Sequence, residues 1–157
     1  MKPVDMKAKL LIPCLIFTIL AGCSKDKYTT KPIITFKSVN TNTLDVGGLL
    51  EITLDYTDKE GDINNQLYVE KKTRNCGASD FSQMYPLPTD IPSYKKGEVI
   101  VTFAYSPNAG YPVIKSPQCG SATNLINDSC VFRFVLTDKA NNVSDTIQTP
   151  EIVVIKH

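Results

Sequence analysis

The sequence predicts an all-β fold, an antiparallel β-sandwich of about seven strands. Apolar and polar residues alternate with a period of two in one segment after another, and turn-rich stretches separate those segments. In addition, no stretch of ten or more residues holds the 3.6-residue apolar period of an amphipathic helix. β-branched and aromatic residues fill the alternating segments, where their stiff side chains suit a pleated surface. A small β-barrel is the alternative arrangement of such strands.

The first strand is expected near 32–39, where Ile34 and Phe36 alternate with Thr35 and Lys37. The segment 48–57 is clearer. Leu50, Ile52, Leu54 and Tyr56 fall on one face and Glu51, Thr53, Asp55 and Thr57 on the other, as in a strand with one face on the core and one in water. Leu67 and Val69 alternate with Tyr68 and Glu70 in a third strand that turns polar by Lys71. Val99, Val101, Phe103 and Tyr105 share a face in 98–105, and Cys130, Phe132, Phe134 and Leu136 share one in 130–137. The last strand divides around Pro150 into 144–149 and 151–156, since proline belongs at an edge or a bulge. The stretches 40–48, 58–66, 75–98, 106–129 and 138–143 read as turns and loops. Within them, Lys95-Lys96, like Lys71-Lys72 at the end of the third strand, reads as solvated charge.

Length and charge narrow the function. The chain has 157 residues, with 17 basic and 16 acidic groups and a net charge of +1. One domain is expected. This balance supplies no basic surface for a nucleic acid, so no nucleic-acid partner is expected. The one histidine is His157, and there is no Trp, which leaves little for histidine-based catalysis or His-rich metal sites. No Gly-x-Ser-x-Gly elbow and no Gly-rich phosphate loop occurs. The chain is expected not to be an enzyme. A small hydrolase or inhibitor, using an acidic loop or tyrosine-bearing loops, is the alternative.

The N-terminal segment reads as an address. Lys2, Lys7 and Lys9 precede an apolar run, Leu10 to Leu20, of 11 residues. A membrane-spanning helix needs about 20, whereas this length fits the apolar region of a secretory signal. The run ends in Leu20-Ala21-Gly22-Cys23, which resembles the bacterial lipoprotein signal. The resemblance implies cleavage before Cys23 and acylation of its thiol, with residues 1–22 as signal peptide and 23–31 as lipidated N-terminus and tether. Two or three acyl chains give stable anchoring, at about 0.8 kcal/mol per buried methylene. Ser24 after the cysteine is similar to lipoproteins sent on to the outer membrane, and Lys25-Asp26-Lys27 to the short charged tags of surface-exposed ones. The implied location is the bacterial cell envelope, with the membrane as partner through the lipid. Residues 23–157 would carry 14 basic and 15 acidic groups.

A second resemblance covers most of 32–157. Leu54-Asp55-Tyr56-Thr57-Asp58-Lys59-Glu60-Gly61-Asp62 is similar to the loop after the second strand of immunoglobulin-like and fibronectin-type-III-like domains of bacterial surface lipoproteins. Phe134-Val135-Leu136-Thr137-Asp138-Lys139-Ala140-Asn141-Asn142-Val143-Ser144 is similar to their penultimate strand and its loop. The resemblance implies a binding or spacer module, acting on a protein or glycan at the envelope.

Three site readings follow. Cys76, Cys119 and Cys130 remain after the signal region, and export permits one disulfide. Cys130 lies in phase with Phe132 and Phe134 and reads as a small buried hydrophobe. Cys76–Cys119 is therefore the first pairing expected; Cys119–Cys130 and no disulfide are the alternatives. In the acidic stretch, Asp58, Glu60 and Asp62 flank Gly61, and in a sandwich Asp138, Asn141 and Asn142 would approach them from the loop after the penultimate strand. Six oxygen-bearing side chains suit Ca²⁺, which takes six to eight oxygens. The same residues also read as ordinary turns held by local hydrogen bonds. Tyr85, Tyr94 and Tyr111 lie in proline-rich loops and read either as a recognition surface or as packing for those loops.

Overall fold

The computed structural model describes residues 30–63, 65–88, 94–105 and 110–157. Leu20-Ala21-Gly22-Cys23 and most of the tether lie outside the described residues. The described chain is essentially all-β. Its strands are β1 (Ile33–Val39), β2 (Thr43–Leu44), β3 (Leu49–Thr57), β4 (Gln66–Thr73), β5 (Phe81–Pro86), β6 (Lys96–Ala104), β7 (Asp128–Thr137), β8 (Ile147–Gln148) and β9 (Ile152–Val154).

These strands form two separate sheets and not a closed barrel. The first sheet has the order β1-β3-β6 and is antiparallel throughout. The second has the order β2-β9-β7-β4-β5, with β8 also beside β7. Its β2 runs parallel to β9, through Thr43↔Val153 and Leu44↔Val154. The expectation of about seven antiparallel strands is corrected on both counts. The two added strands, β2 and β5, lie in stretches that read as loops. β2 has only two residues, too few to display a period. β5 has a weakly alternating sequence that ends in Pro86, and it pairs on one side only, with β4.

The long strands follow their alternation. In β3, Leu50, Ile52, Leu54 and Tyr56 are buried, and in β7 so are Cys130, Phe132, Phe134 and Leu136. One core draws on both sheets, from Ile34, Leu50, Ile52, Leu54 and Phe103 on one side to Val69, Phe132 and Phe134 on the other. Phe103 of β6 and Phe132 of β7 meet with ring centroids 5.2 Å apart, and Phe81 packs on both. Burying each such side chain contributes roughly 1.5–3 kcal/mol. Gly97, opposite Tyr56 in the register, leaves room for the tyrosine: a Cβ there would lie 2.7 Å from its hydroxyl. Pro150 separates β8 from β9, as expected.

Lys71 departs from the sequence reading. It is not a solvated charge; it is buried, whereas Lys72 beside it is exposed. The strand alternation forces this, because Lys71 shares the inward face with Leu67 and Val69.

Candidate metal centre

β3 of the first sheet and β7 of the second lead into loops at the same end of the molecule. The loop after β3 starts at Asp58 and the loop after β7 at Asp138. The two loops are tied directly. Lys139 N–H donates to the Asp62 carbonyl at 3.0 Å, and Asn65 Nδ2 donates to the Asp138 carbonyl at 2.8 Å.

Each loop is shaped by its own first carboxylate. Asp58 Oδ2 accepts from Gly61 N–H at 2.6 Å and Asp62 N–H at 3.1 Å. Gly61 takes φ +73°, which an L side chain resists. Asp138 Oδ1 accepts from Asn142 N–H at 2.7 Å and its Oδ2 from Asn142 Nδ2 at 2.8 Å. Asn141 holds φ +66° in the same turn, a conformation that asparagine tolerates better than most residues.

Asp58, Asp62 and Asp138 thereby converge, with one carboxylate oxygen of each within 4.8 Å of the others. Asp58 and Asp138 are each 1% exposed. Oδ1 of Asp58 and Oδ1 of Asp62 are both buried without a hydrogen-bond partner. No ion pair among those of the described residues reaches any of the three. Burial first, then the neighbouring Asp138 and Asp58 carboxyls, hold Asp62 above the usual carboxylate range. Orphaned buried oxygens and like charges without a counter-charge fit a hard cation.

Of the six residues expected at a Ca²⁺ site, the structure thus gathers three acids. Asn142 is not one of the three gathered acids; its Nδ2 donates to Asp138 and holds that carboxylate in place. Glu60 and Asn141 are exposed on the turns. Asn65, which pins the two loops together, carried no signal in the sequence: a lone asparagine at a loop end is common.

The cysteines form the disulfide Cys76–Cys119, with S–S 2.04 Å and Cα–Cα 5.3 Å, across 43 residues of sequence. Cys130 is free and buried, and burial pushes its thiol up to about 12. The disulfide fastens the turn Gly77–Ser79 to the segment before β7, helped by Gln118 N–H donating to Ser79 Oγ at 2.8 Å. Beside it, a groove of about 420 Å³ runs between β5 and residues 112–118, lined among others by Lys71, Phe81, Tyr85, Ile114 and Gln118.

The three tyrosines expected at a recognition surface differ in exposure. Tyr94 and Tyr111 are exposed, at 57% and 44%, but Tyr85 is half-buried with its ring edge-on to Phe103 at 6.4 Å. No ring contact among the described residues joins the three. Tyr105 is buried and donates its hydroxyl to the Ile155 carbonyl at 2.6 Å, fastening the end of β6 to the C-terminal segment. No helix of the described residues is long and apolar enough to cross a membrane.

No family model matches the chain, and no curated protein matches it. Among solved structures, the chain is similar to the sporulation control protein Spo0M from Bacillus subtilis, with a TM-score of 0.42 and 8% identity. That match covers 82% of this chain and 51% of the other, so the chain spans about half the length of its structural neighbour.

Proposed function

We propose that this chain is a lipid-anchored lipoprotein of the bacterial envelope, whose immunoglobulin-like sandwich is a non-catalytic binding or spacer module with a Ca²⁺-ordered loop end. The convergence of Asp58, Asp62 and Asp138, the first and last of them buried and none reached by an ion pair among the described residues, carries the cation reading. The strand orders support the immunoglobulin-like reading. β1-β3-β6 corresponds to the first, second and fifth strands of such a domain, and β9-β7-β4 to its last, penultimate and third. Leu20-Ala21-Gly22-Cys23 supports the anchor, with Cys23 as the acylated residue.

Three carboxylates supply hard oxygen donors, and water completes the coordination number that Ca²⁺ prefers. Bound ion would fasten the loops after β3 and β7 to each other, and so the two sheets at that end. The depth of Asp58 and Asp138 favours this role over acid–base catalysis, because a substrate has no access to carboxyls that are 1% exposed.

The test is a thermal melt of the full chain in EDTA and in millimolar Ca²⁺. At a hundredfold excess over the dissociation constant, binding to the native state stabilises by about 2.7 kcal/mol, a shift of several degrees for a domain of this size. Asp62→Asn should abolish the shift. An unmoved midpoint in the wild type returns both loops to ordinary turns. Separately, Cys23→Ala should release the protein from membrane fractions; retention there would refute the anchor and leave the cation site standing.

A further inference from the structure

We propose that Lys71 and Asp128 are joined by an intramolecular isopeptide bond that cross-links β4 to β7. The two strands are neighbours in the second sheet. Lys71 Nζ lies against Asp128 Oδ2 in the interior, with the side chains 2% and 1% exposed. Both residues are in the inward phase of their strands, Lys71 with Leu67 and Val69, Asp128 with Cys130, Phe132 and Phe134. Phe132 stands directly opposite Lys71 in the register.

The polar groups around the pair fit an amide better than they fit two ions. An ammonium carries three donors. Asp128 takes one and the Ser79 carbonyl takes another at 3.1 Å. On the acid, Oδ1 is buried with no partner at all. The ionic form therefore holds two desolvated charges, which are costly in an apolar interior, whereas in the amide both charges are gone and Oδ1 stays as a neutral carbonyl oxygen, cheaper to leave unmet than a carboxylate's. An amide has no charge and a single N–H, and the Ser79 carbonyl is already placed to accept it.

The reaction balances within the pair. One proton passes from Nζ to the touching carboxyl oxygen. The Nζ lone pair attacks Asp128 Cγ and the new C–N bond forms. A second proton passes from the nitrogen to the departing hydroxyl, the Cγ–O bond breaks, and one water leaves. Ammonium and carboxylate together contain every atom of the amide and the water, so no oxidant and no activating co-reactant enters. Hydrolysis is favoured for free amides in dilute solution. Here the amide is favoured by relief of two desolvated charges, and the fixed contact speeds its formation, since oriented partners reach effective molarities of about 10⁵–10⁸ M. Lys71 also lines the groove between β5 and residues 112–118, which gives the water a way out.

Tryptic mapping of the reduced full chain by mass spectrometry tests the bond directly. The expected product is one branched peptide, residues 60–72 joined to residues 116–133, lighter than its two arms by one water and uncleaved after Lys71. Lys71→Arg keeps a cation opposite Asp128 but has no primary amine, and should return linear peptides at full mass. The wild-type map suffices by itself, so poor folding of that variant does not weaken the test. Linear wild-type peptides at full mass overturn the proposal. So does a dehydrated Asp128 with Lys71 still cleavable, which marks cyclisation onto the backbone instead.

Discussion

Lys71 and Asp128 meet between neighbouring strands of one sheet, whereas Asp58, Asp62 and Asp138 meet where loops from two different sheets touch. In the first region two inward-facing side chains of neighbouring strands meet, and an amine beside a carboxyl leaves no net charge, whether as an ion pair or as the proposed amide. In the second, two turns are each held by their own first carboxylate, and the charges brought together have the same sign. Nothing among the ion pairs of the described residues offsets them. The difference separates what the fold fixes from what it leaves to the solution. The strand pair is intolerant of change in either partner. On the proposed reading, the loop end takes its counter-charge from whatever cation or proton is supplied.

The largest effect is expected where the intolerance lies. Asp128→Ala leaves Lys71 in the interior without its partner, which should cost about 3–5 kcal/mol, read as a fall in the urea midpoint. A loss of under about 0.5 kcal/mol, the range of ordinary surface substitutions, would show that Lys71 escapes to solvent and would erase the contrast between the regions.

Both regions were partly visible in the residues. The strands that place them, β3 and β7, show clean alternation, and Gly61 with its flanking acids marks one turn. The approach of the two loops follows from a sandwich in which both strands end at the same edge. Asp62 and Asp138 belong together for that reason, although no local pattern says so. The Lys71–Asp128 pair was hidden by treating charge as surface by default. Its signal was nevertheless present as phase, since 67, 69 and 71 form one alternating row and 128, 130, 132 and 134 another. β5 and β2 were not legible. An edge strand and a two-residue parallel strand owe their pairing to tertiary contacts, which leave little imprint on local sequence.

The disulfide ties the first region to the rest of the molecule. Cys76–Cys119 closes a 43-residue separation, and chain entropy assigns such a bond about 4 kcal/mol in an unstrained native state. Cys76→Ser should lower stability by somewhat less than this, because Gln118 N–H still holds Ser79. Melts in the presence and absence of reductant check it. Reductant should destabilise the wild type and leave the variant unchanged. The same variant should keep its Ca²⁺ response, since the disulfide belongs to the strand pair's surroundings; a lost response would couple the two regions.

The smallest effect is the most discriminating for the loop end, because its sign is unusual. Asp62 is held above the usual carboxylate range, so the folded state prefers its protonated form. That contribution is complete below about pH 3.9, the ordinary aspartate value, and is lost as pH rises through the raised one. At neutral pH without metal, the Asp62 charge therefore opposes folding. Asp62→Asn in EDTA should raise stability, on the order of 1 kcal/mol for relief of like-charge repulsion in a partly wet site, even though it removes the Ca²⁺ response. Glu60→Gln, on the exposed part of the same turn, should move the metal-free midpoint by under about 0.5 kcal/mol and preserve that response. Equal behaviour of the two variants would extend the site to the turn's exposed rim. A destabilising Asp62→Asn in EDTA would mean that the carboxyl is held by the loop for its own sake, and the two regions would then differ in sign of charge but not in self-sufficiency.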